Sequence, residues 1–216
     1  MIETTSTITI IIPTYNRTKF LLRSIKYWQY SDFNVIVADG SREPTKCSLP
    51  ARWIYLHDSQ ASILERWRNA IKLVKTPYVA ICADDDFHGF IAVKKCVQFL
   101  EKNIEYTSAQ GRYLFCKAQN INRISVGYEK CWKYEVSEVS ADKRMLQSVT
   151  PYMHHIYAVH RTGNLLEAIS GYRIELSNAF EVHLTIVGAI QGKHKTLPFF
   201  YSLRDQVEGS LSLIHI

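Results

Sequence analysis

The chain has 216 residues, 47% of them hydrophobic and 21% charged, which is enough for a sizeable folded core and reads as a soluble globular protein. No apolar run approaches the roughly 20 residues that cross a bilayer, and Met1-Ile2-Glu3 lacks the basic lead of a signal peptide. The formal charge of +6 is spread along the chain, so it suits a phosphate-bearing partner or an anionic membrane face without demanding nucleic acid.

Thr7 to Ile12 is β-branched throughout and predicts a first strand, closed by turn chemistry in Pro13-Thr14-Tyr15-Asn16-Arg17. Thr18 is placed to cap a helix whose apolar positions are Leu21, Leu22, Ile25 and Trp28. Phe33 to Ala38 predicts a second strand ending in Asp39-Gly40-Ser41, and Arg52 to Leu56 a third ending at His57-Asp58. Ser62 to Val74 has helical spacing, with Trp67 on its apolar face. Tyr78 to Cys82 is a short apolar run that suits a strand buried on both faces. It leads straight into Asp84-Asp85-Asp86, and Ile91 to Leu100 then predicts a helix. Alternation of this kind implies an α/β fold with a mostly parallel central sheet flanked by helices.

The second half is less regular. Arg112 to Lys117, His154 to His160 and Lys195 to Leu203 predict strands. Ala141 to Val149, Asn164 to Ile169 and a segment from Ser177 or Asn178 to about Gln191 predict helices, the last with Glu181 in its first turn and Gly192 as its C-cap. The five cysteines are scattered, with no CxxC, which suggests reduced thiols in a cytosolic setting. Leu211 to Ile216 matches the translation of a transposon end used as a sequencing adaptor. The tail is therefore expected to be adaptor-derived, the natural C-terminus to be missing, and His215 to carry no functional weight.

In a parallel sheet the polar strand ends Pro13–Arg17, Asp39 and Asp84–Asp86 lie on one edge, where α/β folds bind ligands. Oxygen-only ligands favour Mg2+ or Mn2+ alongside substrate phosphates. Tyr15 offers an aromatic face for a base, and Arg17 a fork for phosphate. No Gly-rich phosphate loop follows the first strand. The competing reading of the triplet is a solvated loop, or Asp86 capping a helix that starts near Gly89.

The words and spacing of Ile8 to Arg17, Val35 to Ser41 and Ala83-Asp84-Asp85-Asp86 resemble glycosyltransferase family 2, on the GT-A fold. The likeness covers about the first 105 residues, taken as the nucleotide-binding half, with residues 106–210 as the acceptor half of one domain. Phe180-Glu181, Gly192-Lys193 and Leu203-Arg204-Asp205 resemble a bacterial sub-group more loosely.

The resemblance implies a hexosyl-type transferase. It would move a sugar, with inversion and a divalent metal, from a nucleoside-diphosphate sugar to a carbohydrate, lipid-linked or protein acceptor. It implies that Pro13, Tyr15, Arg17, Asp39, Asp58, Asp84 and Asp85 border the nucleotide, and that Asp86 and Asp84 of the DxD motif hold metal, Asp86 the more directly. Glu181 is the candidate base, with a helix-dipole role as its competitor. His154, His155 and Arg204 are candidates for acceptor or phosphate contacts, against an exposed structural role for the histidine pair. The implied location is the cytoplasm, with room for peripheral contact with the inner membrane and none for nucleic acid. Two rival readings stand beside it: a nucleotidyltransferase that makes the nucleotide sugar, and a non-catalytic nucleotide- or sugar-binding relative.

Overall fold

The computed structural model describes residues 6–120, 123–128, 134–152, 155–173 and 177–205. His154, Cys131 and the C-terminal hexapeptide lie outside them.

The first half follows the alternation. β1 (Ile8–Thr14) leads through α1 (Thr18–Trp28) to β2 (Asn34–Asp39) and β3 (Ile54–His57), then through α2 (Ile63–Lys72) to β4 (Tyr78–Ile81). These strands lie parallel in the order β3-β2-β1-β4. Right-handed crossovers in opposite directions place α1 and α2 on opposite faces. Periodicity decides which side of each helix is buried: Leu21, Ser24, Ile25 and Trp28 on α1, and Leu64, Trp67, Ala70 and Ile71 on α2. Helix α2 starts with a capping box in which the Ser62 hydroxyl accepts from the Glu65 amide and the Glu65 carboxylate from the Ser62 amide. Helix α1 lacks the expected cap. Arg17 is its N-cap and Thr18 is already helical, with no side-chain bond at the terminus.

After β4 the sheet becomes mixed. A short β5 (Phe87–His88) precedes α3 (Phe90–Lys102), β6 (Tyr106–Asn120), β7 (Arg123–Tyr128), β8 (Glu135–Val136), α4 (Ala141–Val149), β9 (Val159–Arg161), α5 (Thr162–Gly171), α6 (Ser177–Gln191) and β10 (Lys193–Asp205). Strand β9 is antiparallel between β4 and β6, while β10 runs parallel to β6 and antiparallel to β5.

Three expectations are corrected here. The strand expected over 154–160 is reduced to β9, because residues 155–158 form a turn in which the Ala158 amide donates to the His155 carbonyl. The N-cap of α3 is Gly89, so Asp86 does not cap it. Strands β6 and β10 outrun their predicted spans because they pair with each other along most of their length. Gly192, between α6 and β10, is needed for close packing: a Cβ there would lie 2.6 Å from the Thr107 methyl and 2.9 Å from the Glu105 carbonyl.

One helical layer contains α1 and α3, joined where the Phe90 ring packs on Tyr27 and Trp28 at 4.7 and 5.5 Å. In the other, Trp67 of α2 packs on Phe180 of α6, and Phe180 on Tyr172 beyond α5. Trp28 and Trp67 are core residues, as are Tyr113 and Tyr134 of the aromatic stretch. The four described cysteines, Cys47, Cys82, Cys96 and Cys116, are free thiols.

Candidate active site

Strand register assembles the site. Thr14 ends β1 directly beside Asp39, the last residue of β2. On its other side the Thr14 hydroxyl donates to Asp84 Oδ2 at 2.6 Å, just past the end of β4. One threonine therefore links both acidic strand ends across the central strand.

Asp84, Asp85 and Asp86 are 2, 3 and 5% exposed, which three unpaired anions could not tolerate. Arginines offset the charge. Arg17 straddles two of them, Nη1 on Asp84 at 2.9 Å and Nη2 on Asp85 at 2.7 Å. Arg23 Nη2 donates to the Asp85 carbonyl at 3.1 Å. Arg204, from β10, approaches Asp86 Oδ2 at 3.5 Å and stacks on the rings of Tyr157 and Tyr113 at 4.6 and 5.2 Å. Burial pushes the Asp84 carboxyl up to about 6, against the Thr14 hydroxyl and Arg17, which pull it down. Both Asp84 oxygens are engaged, and Asp86 Oδ2 faces Arg204. Among the described residues no three His, Cys, Asp or Glu groups form a ready-made metal cage. The triplet's oxygen-only donors are of the kind that suits a Mg2+-like ion completed by substrate phosphates.

On the β2 side Asp39 is fully buried. Its oxygens accept from the Ser41 amide at 2.7 Å and the Tyr55 hydroxyl at 2.5 Å. Burial pushes its carboxyl up, but these hydrogen bonds outweigh it and hold the group below the usual range. The Pro13–Arg17 turn is fastened to the same loop. Asn16, in the left-handed region at φ 54, donates its amide to Ser41 Oγ and accepts from the Arg42 amide. Asp58 reaches the rim through its amide, on the Asp39 carbonyl at 2.9 Å, while its exposed carboxylate accepts from the Gln60 and Ala61 amides ahead of α2. Tyr15 is exposed at the mouth.

Sequence reasoning missed Arg66. Its guanidinium stands 5.8 Å from the Tyr15 ring, donates to the Ala61 carbonyl and feels the charges of Asp39 and Asp58. It also fills the space above Gly40, where an added Cβ would lie 2.1 Å from Arg66 Cζ. The only signal in the sequence is the glycine after Asp39, which keeps a place for that cation.

Glu181 is buried in α6, and the helix has no acidic residue in its first turn. The first-turn placement is thus corrected by one position, which weakens the helix-dipole role. Burial raises the Glu181 carboxyl, and only the Arg204 charge opposes this. Buried Tyr157 links Glu181 to the triplet: its hydroxyl is raised first by burial and also by Asp86, Glu181 and Asp85, with Arg204 opposing.

His155 lies elsewhere. It is buried, not exposed, and stacks on His194 with ring centroids 3.9 Å apart, its Nε2 3.0 Å from the Tyr134 hydroxyl. Arg144 of α4 is not simply solvated. Arg144 donates to the Ala189 and Ile190 carbonyls at the end of α6.

The fold is a mixed α/β one, similar to that of crystal structures of S. aureus TarS. The complex of TarS 1-349 with UDP-GlcNAc matches at a TM-score of 0.65 and 20% identity, over 95% of this chain and 60% of that one. The complex with UDP matches at 0.63 and 20%, over 93% and 60%. A further TarS crystal structure matches at 0.62 and 18%, over 93% of this chain but 37% of that one. The chain thus spans well under two thirds of these proteins. A search of curated proteins returns no match. Residues 9–163 match the model of glycosyl transferase family 2, so the chain belongs to that family, with its GT-A architecture.

Proposed function

We propose that this protein transfers a sugar from a nucleoside-diphosphate sugar to an acceptor hydroxyl, with inversion and dependence on a divalent metal. The observation that carries this reading is Thr14, paired with Asp39 on one side and hydrogen-bonded to Asp84 on the other. That arrangement supports a single rim gripping the base at one end and the diphosphate at the other. Tyr15, Arg66 and Asp39 would receive the base and ribose, with Pro13 and Asp58 at the border. Because UDP and UDP-GlcNAc are bound in TarS structures of the same fold, UDP-sugars are the first donors to test.

Arg17 is committed to Asp84 and Asp85, so in this reading it holds the carboxylates in place for the donor. Asp86, last of the triplet and facing Arg204 from β10, would be the principal metal ligand, with Asp84 behind it. When bound, the ion offsets charge developing on the leaving diphosphate. Arg204 is placed to move from Asp86 to a phosphate oxygen. Glu181, whose basicity is raised by burial, would take the acceptor proton as the hydroxyl oxygen attacks the anomeric carbon opposite the leaving group. The place of work in this reading is the cytoplasm, with room for peripheral contact with the inner membrane. Among the described residues no helix is long and apolar enough to cross a membrane.

The test is metal-dependent hydrolysis of a panel of nucleotide sugars by wild type, Asp86→Ala and Glu181→Ala. We expect turnover with Mn2+ or Mg2+, at least about 100-fold lower in each variant with folding retained. Pyrophosphate-dependent formation of a nucleoside triphosphate would overturn this reading in favour of a nucleotidyltransferase. Binding of UDP without turnover under any metal would overturn it in favour of a binding protein.

A further inference from the structure

The layer formed by α1 and α3 has an outer surface of unusual composition. Helix α1 has no acidic residue, and α3 has none before Glu101. Lys19, Arg23 and Lys26 are exposed on α1, and Lys94 and Lys95 on α3. Asp32 is the acidic neighbour here, paired with Lys94 at 2.9 Å. Arg23 lies over the Phe20 and Phe87 rings, and Lys95 over Phe199.

Two large apolar side chains flank Lys95 in the same layer: Ile91, 73% exposed at the start of α3, and Phe200, 57% exposed on β10. Between them runs a shallow groove of about 330 Å³ lined by Gly89, Phe90, Ile91, Lys95, Phe199 and Phe200. Leu22 on α1 and Tyr30 in the turn just beyond it are also exposed.

We infer that this face docks on an anionic lipid surface, with the lysines among the headgroups and Ile91 and Phe200 inserted at the boundary with the acyl chains. Two features favour a membrane over other anionic partners. Cations spread over two helices match a diffuse field better than a defined counter-charge. Exposed aliphatic and aromatic tips gain from an apolar host, which a soluble polyanion does not offer. The inference goes beyond the proposed reaction and does not depend on it. It bears on how an acceptor would arrive, since α1 starts next to Arg17 and α3 shortly after Asp86, so the docked face borders the donor rim.

The experiment is co-sedimentation of the full chain with phosphatidylcholine vesicles, with and without phosphatidylglycerol. Wild type is compared with Lys19→Glu/Lys26→Glu/Lys95→Glu and with Ile91→Ser/Phe200→Ser, and thermal melts check folding. We expect binding only to the mixed vesicles, weakened by salt, roughly 100-fold weaker in the charge-reversed variant and roughly tenfold weaker in the serine variant. Absence of binding to mixed vesicles, equal binding to phosphatidylcholine alone, or undiminished binding by the charge-reversed variant would overturn it. Retention on heparin with no vesicle binding would overturn it too, marking the face as a polyanion site. Nucleotide-sugar hydrolysis is measured without vesicles, so failure of docking and failure of the proposed reaction are read separately.

Discussion

The two halves of the sheet bury polar groups in opposite ways. At the donor rim the groups are charged and matched: three aspartates, nearly inaccessible, lie against Arg17 and Arg204. Behind it, around β9 and β10, the buried groups are histidines. His155 and His194 stack, His194 Nδ1 meets the Ser108 hydroxyl at 2.8 Å, and His160 Nε2 meets the His155 carbonyl at 2.8 Å. The first arrangement depends on its counter-charge. The second depends on His160 and His194, whose burial disfavours the charged ring. The same fold should therefore fail differently according to which half is perturbed.

The largest effect is expected at the rim. Arg17→Ala strands two buried carboxylates and should cost about 3–5 kcal/mol, as one-sided loss of a buried ion pair does. Urea unfolding measures it. Arg17→Ala/Asp84→Asn should recover part of the loss, and a cost within about 1 kcal/mol would mean that the pair behaves like a surface bridge.

Acid should act on the histidine half. Burial lowers His160 to about 4 and His194 to about 3. The unfolded chain takes up these protons near pH 6.5 and the folded chain cannot, so stability falls as pH drops through that window. The loss is on the order of 3–5 kcal/mol per histidine. Asp84, raised to about 6, works in the other direction: its folded form holds a proton that the unfolded form releases near 4, so its contribution is lost as pH rises between those values. Unfolding at stepped pH should show a net loss on acidification, shallower in His160→Gln. A flat profile would remove the distinction between the halves.

Two smaller effects sharpen it. Gly40→Ala would displace Arg66, whose flexible end can swing away, so the fold should persist while donor KM rises about tenfold with kcat little changed, as loss of uniform binding does. Ser62→Ala removes the α2 cap. It should cost about 1 kcal/mol in thermal or urea unfolding.

The donor half was largely readable from sequence because its signals are local. Apolar runs end in acid, and helical spacing and the Ser62–Glu65 pair mark α2. Ala141–Val149 appears as predicted, since its pattern is also local. What escaped depends on distant partners. Arg17 reads as a phosphate ligand until β1 and β4 are side by side, when its guanidinium proves occupied by residues 67 and 68 positions away. Arg66 looks like any surface arginine on a helix until Gly40 is brought beneath it. His155 was expected at the surface because nothing nearby in sequence announces the ring of His194 that covers it.

Arg204 has a consequence for how the protein comes into being. It rides on the last described strand, which lies between β6 and β5. A chain growing from its N-terminus completes Asp84, Asp85 and Asp86 more than a hundred residues before this arginine is made. Nascent protein halted before Lys193 would hold an anionic pocket without its second counter-ion and leave Phe87 and His88 with no strand to pair with. The rim's full set of counter-charges therefore waits for β10.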